Sequence, residues 1–403
     1  MTKIKADVMI VGGGLVGITQ AIALAEHGML VTVIDRVPYS EQLHTTFDGR
    51  ASAIAWSSHS LLKNLGIWKF MEPEAEPIWH IRVTDENSPA IVHYDAKETY
   101  NHPFGYIVEN RFLRHALEQR MRECGSLKFL APMQMKGYHI EDTKTAVTLE
   151  NSDVVEAPLL ISAEGRKSFL RGQENIETLH MTYGQTAIVV TISHEKPHGG
   201  LALECFKPIG PFAVLPMTHN RSCLVWTESE TVASVYAALP EAELKQEIAA
   251  RLGDYLGDFT LLNKPFIYPL TLLQAKDYIS KRFALIGDSA HGIHPIAGQG
   301  VNVGFRDVAV LTERILDAAK LGLDIGSAAV LEGYQQSRRP DGVAMAIITD
   351  GLNRLFSNDM LPIKLARRTG LAAVNAMPNF KRAFTDYAMG IGRDLPKLLK
   401  DAA

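Results

Sequence analysis

Apolar residues change their spacing repeatedly along this chain, and each change predicts a different kind of element. Ala6 to Val11 is a short apolar run suited to a buried strand. Ile18 to Glu26 repeats its apolar positions at helical spacing and ends near Gly28, and Leu30 to Ile34 is a second apolar strand that closes on Asp35. Between Met181 and Pro269 the period falls to two. Thr186 to Ile192, Leu201 to Phe206, Phe212 to Met217 and Ser222 to Thr227 read as strands of one sheet, with further strands expected within residues 73–99. Ala233 to Leu252 reads as an amphipathic helix crossing outside that sheet. Phe283 to Ile286 is again a buried strand, and Val301 to Leu316 a helix with Val308, Leu311 and Ile315 among its apolar positions. After Arg338-Arg339-Pro340-Asp341 the pattern is helical to the end.

The first of these segments carries recognisable chemistry. Strand, Gly12-Gly13-Gly14-Leu15-Val16-Gly17, helix, strand and acid follow one another as in a dinucleotide-binding βαβ unit. Gly12 permits the tight turn, Gly14 lets a pyrophosphate approach the backbone, and Gly17 lets helix and strand pack closely. The helix start offers free N–H groups to the anion. Asp35, followed by Arg36, can accept from ribose hydroxyls. The motif alone does not separate FAD from NAD. The sequence contains no second fingerprint in strand and helix context and no CxxxxC pair, which disfavours a disulfide reductase with two dinucleotides.

Glycine clusters again in HPIAGQGVNVG, from His294 to Gly304. Each ordered glycine costs about 0.5–1 kcal/mol relative to alanine, so such a cluster marks main chain that something approaches closely. Upstream, the strand ending at Ile286 delivers Gly287 and Asp288. A carboxylate at a strand end, a glycine-rich turn and a helix N-terminus can hold a polyol chain and aim the helix dipole at an anionic ring. The ribityl chain and reduced isoalloxazine of a flavin have that chemistry.

Composition narrows the classes further. A chain of 403 residues, 46% hydrophobic and 21% charged, is globular, and at about 100–200 residues per domain it divides into two or three units. A net charge of -4 gives no basic field, so nucleic acid is not an expected partner. Cys124, Cys205 and Cys223 stand far apart without CxxC pairing, which argues for a reduced, cytoplasmic setting and against a disulfide framework. No thiolate cluster, HExxH or carboxylate–histidine triad suggests a metal. The amino terminus leaves no room for a signal peptide before the first strand, and no apolar run approaches ~18 residues. Any membrane contact is expected from the surface, at the inner face.

Gly287-Asp288-Ser289-Ala290-His291 with His294 to Asp307 resembles the signature of the UbiH-type ubiquinone-biosynthesis hydroxylases. These are para-hydroxybenzoate hydroxylase-like FAD-dependent monooxygenases. Gly12 to Gly17, Gly49-Arg50-Ala51-Ser52-Ala53, Tyr106 to Arg111 and Gly210 to Pro216 agree in order and spacing, so the resemblance spans essentially the whole chain. It implies an α/β architecture: a Rossmann-like FAD-binding domain (1–72 with 100–180 and 270–337) interleaved with a β-sheet substrate domain (73–99 with 181–269), plus C-terminal helices (338–403).

The same resemblance implies site roles. Gly12, Gly14, Gly17, Asp35 and Arg36 would serve the ADP half of FAD, Arg50 and Arg111 the flavin or its pyrophosphate, and Gly287 and Asp288 the ribityl hydroxyls. Pro295, Gly298, Gln299, Gly300, Val301 and Asn302 would lie against the isoalloxazine. Glu164 and Gly165 stand where the family carries Asp-Gly, a motif serving FAD and NAD(P)H, so nicotinamide reduction could be tuned here. His291 and His294 are candidate proton carriers, with a structural, hydrogen-bonded role the commoner alternative. Arg306 and Asp307 can also be read as residues that cap or lace the helix. Phe212, Val214, Leu215 and Pro216 belong to the strand expected to roof the substrate.

The implied reaction is NAD(P)H- and O2-dependent hydroxylation of a polyprenylated phenol in ubiquinone biosynthesis. A soluble aromatic acid as substrate, or a non-catalytic FAD-binding assembly subunit of a biosynthetic complex, remain alternatives. Lys364, Arg367, Arg368, Lys381 and Arg382 could lay a basic amphipathic helix on a membrane or dock a partner; the other reading is a helical layer covering the sheet.

Overall fold

The runs Val8–Val11, Val31–Ile34, Leu159–Ser162 and Phe283–Leu285 bury every residue, the mark of strands covered on both faces. In the computed structural model, which describes residues 2–38, 41, 49–85, 91–294, 296–357, 377–392 and 394–401, they form the centre of a six-stranded sheet. Its order is Ile279–Ser280, Phe283–Leu285, Leu159–Ser162, Val8–Val11, Val31–Ile34, Leu127–Leu130, parallel except for the first. Helices Leu15–Ala25 and Gly300–Lys320 share its core, with Ile18, Ile22, Phe305, Val308 and Leu311 buried.

A nine-stranded sheet forms the second layer. Because side chains alternate along a strand, its two faces carry different residues. Ile188, Val190, Phe212, Val214, Leu224 and Trp226 pack under the helices Glu230–Ala238 and Glu241–Leu252. Val189, Ala202, Leu215, Cys223, Val225 and Phe266 face the other way, against Ala51 and Ala53 of a small sheet formed by Ala51–Ala55, Gly105–Glu109 and Glu76–Pro77.

Several expected boundaries move. The helix expected over 233–252 is two helices, because Pro240 has no N–H to continue the first and stands instead as N-cap of the second. The edges expected at 180/181 and 269/270 fall inside the strands Thr178–His194 and Phe266–Ala275; the register shift between Thr182 and Thr186, around Gly184, hides that continuity from the alternation. The edge at 337/338 falls inside one helix, Ala328–Phe356, which runs through Pro340. Glu76–Pro77 pairs with Gly105–Glu109 rather than with the large sheet.

Lys364, Arg367 and Arg368 lie outside the described residues. The helix Pro378–Met389 covers the large sheet's edge hairpin: Tyr100 donates to Asp386 at 2.6 Å and Lys381 stands 4.8 Å over the Tyr94 ring. Among the described residues no helix is long and apolar enough to cross a membrane.

Candidate functional site

The carboxyl ends of Val8–Val11, Leu159–Ser162 and Phe283–Leu285 lie side by side, and the turns that follow them build one site. At the first turn Gly12 has φ +108°, and a Cβ on Gly17 would stand 2.0 Å from the Gly12 carbonyl oxygen. Only glycine allows that helix to sit so close. A Cβ on Gly14 would meet no heavy atom within 4 Å, and no side chain caps the helix that starts there. Open space thus faces an uncapped helix N-terminus. Asp35 accepts from the backbone N–H of Gly13 at 2.5 Å and of Val37 at 2.8 Å, which fixes its carboxylate beside the turn; Arg36 next to it is exposed.

The second turn carries Glu164 and Gly165. Glu164 Oε2 accepts from Ser162 at 3.0 Å, Ser168 at 2.7 Å and the Leu170 N–H at 3.0 Å, so this carboxylate joins the N-cap Ser168 in satisfying the start of the short helix Phe169–Gln173. The Gly165 N–H donates to Ser289 Oγ at 2.9 Å, which ties this turn to the third.

In the third turn Asp288 pairs with Arg166 at 3.1 Å, and Arg166 also donates to the Thr271 and Ile293 carbonyls. Behind it lies a buried ionic cluster. Asp307 accepts from the Gly287 N–H at 2.9 Å, from Arg338 at 2.7 Å and shares a 2.5 Å hydrogen bond with His291; Arg338 also reaches Asp341 at 2.7 Å. Burial opposes ionisation of Asp307, yet His291 and Arg338 outweigh it and hold the carboxyl below its usual range. Asn302 joins helix to strand: its Oδ1 accepts from the Ala55 N–H at 2.9 Å and its Nδ2 donates to the Ala53 carbonyl at 2.8 Å. Gly298, at φ +62°, packs so tightly on Ala53 that a Cβ would lie 2.8 Å from that residue's own.

A glycine cradle open to a diphosphate, a fixed acid beside it, and a second carboxylate at a neighbouring strand end suit the two halves of FAD. The description "FAD binding domain" belongs to the family model that matches residues 5–349. The chain belongs to this family, the FAD-binding monooxygenases of the para-hydroxybenzoate hydroxylase type. It is 46% identical over 398 residues to the "Ubiquinone hydroxylase UbiL" of Rhodospirillum rubrum, covering 98% of this chain and 92% of that one. It is 34% identical over 392 residues to the "3-demethoxyubiquinol 3-hydroxylase" of Escherichia coli, covering 97% and 100%. In fold it is similar to the p-nitrophenol 4-monooxygenase PnpA of Pseudomonas putida, with a TM-score of 0.80, 17% identity, and coverage of 98% and 100%.

Not every residue expected at the monooxygenase site faces it. Phe212, Val214 and Pro216 alternate with Ala213 and Leu215; the first two pack under the outer helices, and only Leu215 of the four expected residues turns towards Ala51 and Ala53. His291 is buried and hydrogen-bonded to Asp307 in the core. His294 is fully buried, with its pKa lowered to about 4 by burial and by Arg166, so it is neutral near pH 7. Its Nδ1 accepts from the Ile296 N–H at 3.3 Å, and its ring meets Tyr183 edge-on. Pro295 lies outside the described residues. Gln299 occupies the N-cap position of the helix Gly300–Lys320 without a capping hydrogen bond from its side chain, and Val301 stands in the first turn.

Arg50 is exposed, and its carbonyl accepts from the Asn110 N–H at 2.9 Å. Arg111 pairs with buried Glu109 at 2.8 Å, and Glu109 also holds Arg221 at 2.7 Å. Sequence reading missed Glu109, Arg166 and the Asp307–Arg338–Asp341 cluster, because the pairs that define them, Glu109 with Arg221, Arg166 with Asp288 and Asp307 with Arg338, are far apart in the chain. It also missed Glu204. That residue left a signal: one acid in the otherwise apolar strand Leu201–Phe206.

Proposed function

We propose that the protein hydroxylates the ring of a polyprenylated phenol on the route to ubiquinone, using O2 and bound FAD reduced by NAD(P)H. The observation that carries this reading is the end-to-end 46% identity with a ubiquinone hydroxylase. When bound, FAD supplies the electron transfer and the oxygen chemistry. The chain supplies position and an apolar wall. Gly14 and the helix start after it would take the pyrophosphate, Asp35 the ribose, and Asp288, oriented by Arg166, the ribityl hydroxyls. Asn302 holds the glycine-rich turn against strand Ala51–Ala55.

The inner sheet face gives an aromatic ring an apolar wall of Val189, Ala202, Ala213, Leu215 and Val225. Glu204 shares that face. A carboxylate there would repel an aromatic acid, which favours a phenol over a hydroxybenzoate. Past Phe206, an open cavity of about 570 Å³ has Met181, Tyr183 and Ile209 beside the polar Gln185, Asn353 and Arg354, and its apolar side offers room for the start of a prenyl tail.

Purified FAD-loaded protein, given NADH or NADPH and air, should add one oxygen atom to a short-chain prenylated phenol and none to 4-hydroxybenzoate, read by mass spectrometry. Turnover of the hydroxybenzoate alone would assign a soluble aromatic acid instead. Flavin that stays oxidised with both nicotinamides would favour a non-catalytic subunit.

A further inference from the structure

Glu204 stands in the middle of strand Leu201–Phe206, opposite Ala213 on one side and Val83 on the other, and opposed residues share a face. The row continues through Val225, Val189 and Phe266. Two residues before it on the same face, Ala202 packs in the cluster containing Ala51, Ala53, Leu215 and Val225. Two residues after it, Phe206 packs on Ile296 of the glycine-rich turn and stacks on Phe356 at 3.8 Å. Glu204 therefore looks into the space between the sheet and the turn assigned to the flavin.

Among the described residues no hydrogen bond or ion pair reaches the Glu204 side chain, and no charged neighbour influences its ionisation. Protein surrounds the carboxylate while part of its surface stays accessible, as for a group in a cleft wall. Burial pushes its carboxyl up to about 7. The ionisable groups sharing the face among the described residues are Asp85, opposite Phe206, Tyr94, opposite Ile81, Tyr268, opposite Ala187, Cys223, opposite Leu215 and held as the neutral thiol by burial, and Arg221, which is paired with Glu109. Strand Ala51–Ala55 and the described turn Ile296–Gly298 bring none. A lone carboxylate in an apolar wall is costly. It becomes intelligible if its partner is a ligand that comes and goes.

We propose that Glu204 receives the hydroxyl of the phenol substrate, accepting first its hydrogen bond and then its proton. This rests on the reading of the protein as a phenol hydroxylase. In the step, the phenol O–H bond breaks and an O–H bond forms on the Glu204 carboxylate; the electron pair stays on the phenol oxygen and enriches the ring at its ortho and para carbons. No electron leaves the pair. After the ring carbon has gained its oxygen and the product phenol re-forms, the proton returns from Glu204.

The test uses FAD-loaded wild type, Glu204→Gln and Glu204→Leu, each checked for flavin content and melting temperature. The probes are a prenylated phenol and its methyl ether, which has no proton to give. Binding, followed by flavin absorbance, should favour the phenol over the ether in wild type by roughly tenfold or more. Glu204→Leu should lose that preference while binding the ether as wild type does, and Glu204→Gln, whose amide oxygen still accepts but cannot take the proton, should keep part of it. The rise of kcat/KM with pH, with a midpoint near 7, should vanish in Glu204→Gln, and kcat should fall by about 100-fold or more. Variants that keep flavin, the wild-type preference and the wild-type pH profile would overturn the assignment and leave the hydroxylase reading intact. Wild type that binds neither probe would remove the hydroxylase reading, and the assignment with it.

Discussion

Asp307 and Glu204 are two carboxylates inside the same protein, and the chain treats them in opposite ways. Asp307, behind the glycine-rich turn, accepts from Gly287, His291 and Arg338 and is held ionised. Glu204, in the sheet wall across from that turn, finds no partner among the described residues and is pushed towards its neutral form. A carboxylate whose whole coordination comes from the fold is part of the scaffold. One left unsatisfied at an apolar surface stores a cost that a ligand can relieve.

Removing the scaffold carboxylate should have the largest effect. In Asp307→Ala the Arg338 guanidinium stays buried without its first partner, and breaking such a pair costs about 3–5 kcal/mol. Denaturant unfolding should show that loss. The contribution also has a pH sign: because the folded carboxyl titrates below its usual range, this stability is present at neutral pH and lost only as pH falls through the acid range. A near wild-type midpoint for Asp307→Ala would end the contrast between the two carboxylates.

The first glycine turn offers a smaller contrast of the same kind. In Gly17→Ala the new Cβ meets the Gly12 carbonyl at 2.0 Å, so the backbone must move, at about 1–3 kcal/mol, and FAD should be lost along with stability. In Gly14→Ala the Cβ meets nothing and the backbone, at φ −74°, accepts alanine. The apo protein should then melt within about 0.5 kcal/mol of wild type while its FAD-to-protein ratio drops. Gly14→Ala purified with stoichiometric FAD would show that no phosphate rests there.

Local patterns made the cofactor half legible. Glycines, a strand-end acid and a following helix are contiguous in sequence, so the turns at Gly12 and Gly287 could be placed before any coordinates. The substrate half depends on which side of a strand a residue faces and on what lies opposite, and neither is written locally. A single-residue alternation reverses the meaning of Phe212 and Leu215. The bulge near Gly184 and the unbroken helix through Pro340 hid boundaries for a similar reason: pairing and packing overrode the punctuation marks. Asp307 and Arg338 are 31 residues apart, so their pairing emerges only when two helices pack.

The effect that grows with rising pH is also the one whose sign separates the two carboxylates most clearly. Unfolded, Glu204 titrates near its ordinary 4.5; folded, near 7. Between those values the folded protein holds a proton that the unfolded chain has released, so stability declines as pH rises through the window, and the full penalty remains above it. Glutamine has the same shape and never ionises. Apo Glu204→Gln should therefore match wild type at about pH 4 and melt higher at about pH 8, by about 1–2 kcal/mol once screening by cleft water is allowed for. A variant destabilised at both pH values would mean that the fold uses Glu204 as it uses Asp307, and the carboxylate in the wall would belong to the scaffold after all.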